Sequence, residues 1–139
     1  MWPLLKNGDE ILVSKNSYEL RKGDIITVHN SYGRILTHRI IDEKKLITKG
    51  DNNVFPEKAL IGSSYKLIGK VAYVIKNGKK NDINKLNTIF FKYSFFEMKI
   101  YASIKNYIPF NTFIYCLKKI TYSSFIFIVK IRYGRSYSI

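Results

Sequence analysis

Few residues in this sequence have side chains suited to catalysis. There are two histidines, His29 and His38, and one cysteine, Cys116. His38 sits in Leu36-Thr37-His38-Arg39-Ile40, where Leu36, His38 and Ile40 share one face of a strand. An imidazole there can take and return a proton near neutral pH. Read alone, the same position also suits a half-buried core histidine. His29 closes a strand next to a turn and reads as surface. Two lone histidines give no metal site, and a single cysteine excludes a disulfide framework and a multi-cysteine zinc site. Cys116 lies among Phe113, Ile114 and Leu117 and reads as a small buried apolar residue. No cofactor is expected. Three acids follow glycines, Asp9, Asp24 and Asp51, which is ordinary turn chemistry.

The elements that must position these groups fall into two halves. Residues 1–80 read as a β core. Short strands are predicted at Glu10–Val13, Ile25–His29, Ile35–Ile41, Leu46–Thr48 and Lys66–Ile75, the last closed by Asn77-Gly78. Asn30-Ser31-Tyr32-Gly33 makes a hairpin turn between the second and third. Strands at this spacing suggest a barrel or coiled sheet. Residues 81–139 read as a helical extension rich in aromatic residues and lysine. Leu86, Ile89, Tyr93, Phe96 and Ile100 recur at helical steps, Asn81 or Asp82 can cap the start, and Pro109 ends the run. Thr121 to Ile131 fits either a strand or a helix lying at a membrane interface. The fold class expected is therefore mainly β, a coiled sheet or barrel with a C-terminal helical extension.

Four sequence islands carry more meaning together than apart. They are Met1-Trp2-Pro3-Leu4-Leu5-Lys6-Asn7-Gly8-Asp9; Lys22-Gly23-Asp24-Ile25-Ile26 with Thr37-His38-Arg39-Ile40-Ile41; Thr48-Lys49-Gly50-Asp51-Asn52-Asn53; and Gly69-Lys70-Val71. Their order resembles the signal peptidase I superfamily of serine peptidases, in its histidine-type branch typical of archaeal and endoplasmic-reticulum enzymes. That family runs Ser-Met-x-Pro, a Gly-Asp turn, a Gly-Asp-Ile/Val strand, His-Arg, Thr-Lys-Gly-Asp-x-Asn and Gly-Lys/Arg-Val. The likeness covers residues 1 to about 74, and small stand-alone peptidases of the superfamily look nearest.

The resemblance implies a Ser-His-Asp mechanism. His38 takes the place of the general base and Asp51 that of the leading acid, which would fix the imidazole tautomer and steady its cation. Glu57 lies where family members often carry a second acid, and its expected role is auxiliary. Trp2 and Pro3 would flank the active site. Leu36 and Thr37 would border the cleft in which an extended substrate pairs as a strand. The family serine directly precedes the methionine that is Met1 here, so the nucleophile is missing from the chain as written. A late or truncated start is favoured over an inactive relative, because His38 and Asp51 are retained.

The activity implied is cleavage of signal or leader segments from precursor polypeptides, with a catalytically inactive peptide-binding relative or a basic membrane-surface protein as alternatives. Formal net charge is +14. Beyond Lys80 only Asp82 and Glu97 oppose nine lysines and arginines. This favours an anionic membrane surface as a further partner. Nucleic acid is not expected. Lys118 and Lys119 interrupt the best apolar run, so peripheral membrane association is expected rather than a spanning helix, with a cytoplasmic location the alternative.

Overall fold

The computed structural model describes residues 4–6, 8–15, 19–53, 55–57, 64–104 and 112–133, with side chains 85, 86, 104, 112–115, 130, 132 and 133 outside that description. The chain forms two compact units, Met1–Lys92 and Tyr93–Ile139.

The first unit holds an antiparallel six-stranded sheet. Its strands are β1 Glu10–Ser14, β2 Ile25–Asn30, β3 Ile35–Asp42, β4 Ile47–Lys49, β5 Tyr65–Lys76 and β6 Lys79–Asp82. The order is β1-β5-β2-β3-β4, with β6 added to β5. The sheet is open and is not closed into a barrel. β5 is its organising strand. Lys70 is in register with Ser14 on one side and Ile26 on the other, and Tyr73 with Leu12 and Asp82. Register shifts at Leu12/Val13 and Thr27/Val28 bend β5 against both neighbours.

The strands read from alternation lie close to those observed. β6 was not expected, because Lys-Lys-Asn-Asp has no strand propensity. Its cause is the turn before it. Asn77 and Gly78 both have positive φ (50° and 72°), as a two-residue hairpin of the Asn-Gly kind requires. The core of the sheet is Ile26, Val28 and Ile40, with Leu20, Leu36, Tyr65 and Leu67 packed against them. Alternation places the side chain of His38 on this face and that of Arg39 on the other.

Two helices follow, α1 Asn84–Ile104 and α2 Thr112–Tyr133. With helices of 21 and 22 residues the architecture is mixed α/β, which corrects the expectation of a mainly β protein. Asp82 accepts from the Asn84 amide at 2.8 Å, as an N-terminal cap should. Pro109 lies outside the described residues. The buried face of α1 is Phe90, Ser94, Glu97 and Tyr101, one position round from the apolar stripe expected. Phe96, a member of that stripe, is 62% exposed. The buried face contains a serine and a glutamate, so counting apolar residues alone selects its neighbour. The stretch from Thr121 to Ile131 is helical despite its β-branched and aromatic content.

Gly69 tests the path of β5. A Cβ built there would lie 2.3 Å from the Ser14 carbonyl oxygen and 2.8 Å from Val13 Cγ1. Backbone at that distance cannot give way cheaply. Gly69→Ala is expected to lower the unfolding free energy by about 1–3 kcal/mol, measured by urea denaturation. A neutral result would mean that β1 is not held against β5 at this point.

Candidate active site

Four segments of the first unit converge near the middle of β3. The turn before β2 is set by Asp24, whose carboxylate accepts from the Arg21 amide at 2.9 Å and pairs with Lys70 Nζ at 2.7 Å. That ion pair joins the Lys22-Gly23-Asp24 island to Gly69-Lys70-Val71. The Gly23 amide donates to the Ile40 carbonyl and the Ile40 amide to the Asp24 carbonyl, each at 2.8 Å, which fastens the turn to β3.

Arg39 is fully buried. Its Nε and Nη2 donate to the two oxygens of Asp51, each at 2.7 Å. Its Nη1 donates to the Gly23 carbonyl at 3.1 Å and to both the side-chain and main-chain oxygens of Asn87 on α1. Asn87 Nδ2 donates to the same Gly23 carbonyl at 2.9 Å. Lys49, opposite Arg39 in the β3–β4 register, is fully buried as well.

His38 occupies the other face, 8% exposed. Its Nδ1 lies 3.5 Å from Thr48 Oγ1 and 3.8 Å from Glu57 Oε2. Glu57 is brought there by an isolated bridge in which the Thr48 amide donates to its carbonyl at 3.1 Å and its amide donates back at 2.7 Å. Asn53 Nδ2 donates to Glu57 Oε1 at 2.9 Å and leaves Oε2 toward the ring. The Asn53 amide closes the turn by donating to the Gly50 carbonyl at 2.8 Å. A Cβ on Gly50 would stand 3.2 Å from Asn53 Nδ2 and 3.5 Å from His38 Nε2, so glycine lets the loop backbone pass close to both the Asn53 amide and the second ring nitrogen.

The two acids face different side chains of β3. Asp51, expected on the imidazole, has both oxygens on Arg39. Glu57, expected as auxiliary, is the carboxylate facing Nδ1. Thr48 and Asn53, which the sequence reading did not single out, hold it in place. Leu36 packs on the core below His38. Thr37 points to the opposite face, its hydroxyl 3.2 Å from that of Thr27. Trp2 and Pro3 lie outside the described residues. His29 is half-buried, with Nδ1 3.3 Å from the Asn30 carbonyl oxygen. Cys116 is exposed, not buried as expected. Among the described residues no group of three histidine, cysteine or acidic side chains could hold a metal ion.

One further feature lies in the main chain. β4 pairs with β3 only from Arg39 to Asp42. The main-chain groups of Ile40 point to the β2 side, so by alternation those of His38 and Leu36 do too. The groups of Ile35 and Thr37 therefore point outward, and no described strand pairs with that edge. Among the described residues this edge is unpaired where it ends beside the imidazole.

Burial holds the His38 pKa below its ordinary value of 6.5, while the charges of Glu57 and Asp51 push it back up. The ring is consequently neutral at pH 7, the state needed to accept a proton. Comparison with known protein families, with curated proteins and with solved structures finds no match for this chain.

A histidine whose folded pKa lies below its unfolded pKa costs stability as it protonates. The loss begins as pH falls through the unfolded value near 6.5 and is complete below the folded value. Wild type should therefore lose more stability than His38→Gln between neutral and mildly acidic pH, as read by denaturant titrations at each pH. In NMR titrations the His38 ring should titrate below 6.5, and lower still in Glu57→Gln. A ring titrating above that value would contradict its burial. On the other face, Asp51→Asn should cost about 3–5 kcal/mol, because it leaves the Arg39 charge buried without its counter-ion. A cost under about 1 kcal/mol in urea denaturation would place the pair in solvent.

Proposed function

We propose that this chain is the substrate-binding and proton-transfer part of a serine endopeptidase of the signal peptidase I type, cleaving signal or leader segments from precursor polypeptides. On this reading the nucleophile is the serine that the resembled motif Ser-Met-x-Pro puts directly before the methionine matched by Met1. The observation that carries this reading is the buried His38, with a carboxylate facing Nδ1, glycine near Nε2 and alongside it a strand edge that is unpaired among the described residues.

The division of labour follows from these positions. The substrate adds as an extended strand to the outer edge of β3, using the main-chain groups of Ile35 and Thr37. The serine hydroxyl gives its proton to Nε2 as its oxygen attacks the peptide carbonyl. Glu57 receives the Nδ1 proton in a hydrogen bond and stabilises the imidazolium. The imidazolium then protonates the departing amine, and a water deprotonated by the same nitrogen releases the acyl group. The 3.8 Å separation of Nδ1 and Glu57 Oε2 is longer than a hydrogen bond, as is common before substrate binds. Asp51 acts through Arg39 as a positioning residue for the loop that carries Glu57. A second reading, peptide binding without hydrolysis, draws on the strand edge alone, which needs no serine.

The two readings part in one experiment. The chain is extended by a short segment ending in serine before Met1 and offered a leader peptide and a serine-directed fluorophosphonate. Peptidase function predicts covalent labelling and cleavage, with His38→Ala reducing the rate by roughly 10²–10⁴-fold. A folded, serine-extended chain that binds the peptide but neither labels nor cleaves would leave the binding reading in its place.

A further inference from the structure

The second unit has a surface that the peptidase reading does not use. Along α2, Ile120, Phe127, Ile128 and Ile131 are all exposed, and their spacing of seven, eight and eleven residues puts them on one side of the helix. Phe96, Ile120 and Ile128 also line a groove of about 360 Å³ between α1 and α2, floored by Tyr93, Tyr101 and Phe125. The groove extends the apolar surface inward. Phe125 stacks on Tyr93 with ring centroids 4.2 Å apart. The aromatic floor of the groove is packed, while the stripe runs from the groove rim at Ile120 and Ile128 outward to Phe127 and Ile131.

Charge selects what could cover it. Residues 93–139 contain seven lysines and arginines and a single acid, Glu97. That acid is only 3% exposed. Lys99 and Lys119 stand exposed and Lys118 half-buried, so the described surface of this unit presents cations and no exposed carboxylate. A second copy of the chain would bring the same charges against themselves. A nucleic acid would meet the lysines but would have no use for an apolar stripe. No described helix is long and apolar enough to cross a membrane. An apolar stripe flanked by lysine is the pattern of a helix lying in the plane of a membrane interface.

We infer that the second unit docks on an anionic lipid surface, with Ile120, Phe127, Ile128 and Ile131 of α2 entering the headgroup boundary and Lys99 and Lys119 meeting acidic headgroups. This inference does not depend on the peptidase reading.

The test is sedimentation of the full chain with sucrose-loaded vesicles. Phosphatidylcholine vesicles containing about a fifth phosphatidylserine are compared with pure phosphatidylcholine, at salt near 0.1 M and near 0.5 M. Docking predicts binding to the acidic vesicles that weakens with salt without vanishing. Phe127→Ser with Ile131→Ser should lower partitioning by at least about tenfold. Tyr32→Ser, in the exposed β2–β3 turn, should leave it unchanged. Both α2 positions are exposed, so the double variant should keep its circular dichroism spectrum. The inference is overturned by no binding to acidic vesicles, by equal binding to both compositions, or by binding that the double variant retains in full. It is equally overturned by a lipid-free dimer that the double variant dissolves, since a second copy would then cover the face.

Discussion

Burying an arginine constrains everything around it. The guanidinium has five N–H donors and cannot shed its charge, so its site must supply a carboxylate and further acceptors at fixed angles. Arg39 finds Asp51 for Nε and Nη2, and the Gly23 carbonyl with the Asn87 oxygens for Nη1. Those partners come from the loop after β4, the turn before β2 and the start of α1. None of them can move far without stranding a charge in the core. This explains why the opening of α1 belongs to the same compact unit as the sheet.

The same pair reaches the other face of β3 indirectly. Asp51 fixes the beginning of a loop whose far end, Glu57, bridges back to Thr48. With both ends held, the main chain brings Glu57 beside His38, and the Asn53 amide, bound to one carboxylate oxygen, leaves the other facing the ring. Adjacent residues of one strand thus face different partners, Arg39 anchoring the loops around it and His38 facing Glu57. The two opposing influences on the imidazole follow from this arrangement. Burial favours the neutral ring, and the nearby carboxylates favour the cation, with burial the larger. An imidazole that burial keeps toward its neutral form, with a carboxylate near enough to steady its cation, is suited to transient protonation.

How far the sequence could be read depended on whether parity or distance decided the matter. Alternation located five strands and put His38 on the face of Leu36 and Ile40. Which side chain each of Asp51 and Glu57 faces was also a matter of parity, but across strands. Lys49 is in register with Arg39, so Asp51, two residues on, returns to the Arg39 side, whereas Thr48 opposes Ile40 and shares the side of His38. Without the register, a Gly-Asp turn ending a strand reads as the natural partner of a nearby histidine. The loop closure that delivers Glu57 leaves no periodic trace at all. β6 and the buried face of α1 were missed for a related reason. Asn81, Asp82, Ser94 and Glu97 lie where propensity and hydrophobicity argue against them, and only a hairpin turn or a packed partner puts them there.

The shortness of β4 ties these threads together. Three residues suffice to hold Thr48 and Lys49 at the centre of the site, yet they cover β3 only from Arg39 onward. Had β4 run two residues further along β3, the main-chain groups of Thr37 would be spent within the sheet, and nothing extended could lie beside His38. Proteins usually guard such an edge, because it invites pairing with other chains. Here the edge carries an exposed Ile35 and no covering strand among the described residues. β4 stops where the chain turns through Gly50 and Asp51 to reach Arg39, so the ion pair that anchors the guanidinium also leaves the β3 edge at Thr37 open among the described residues.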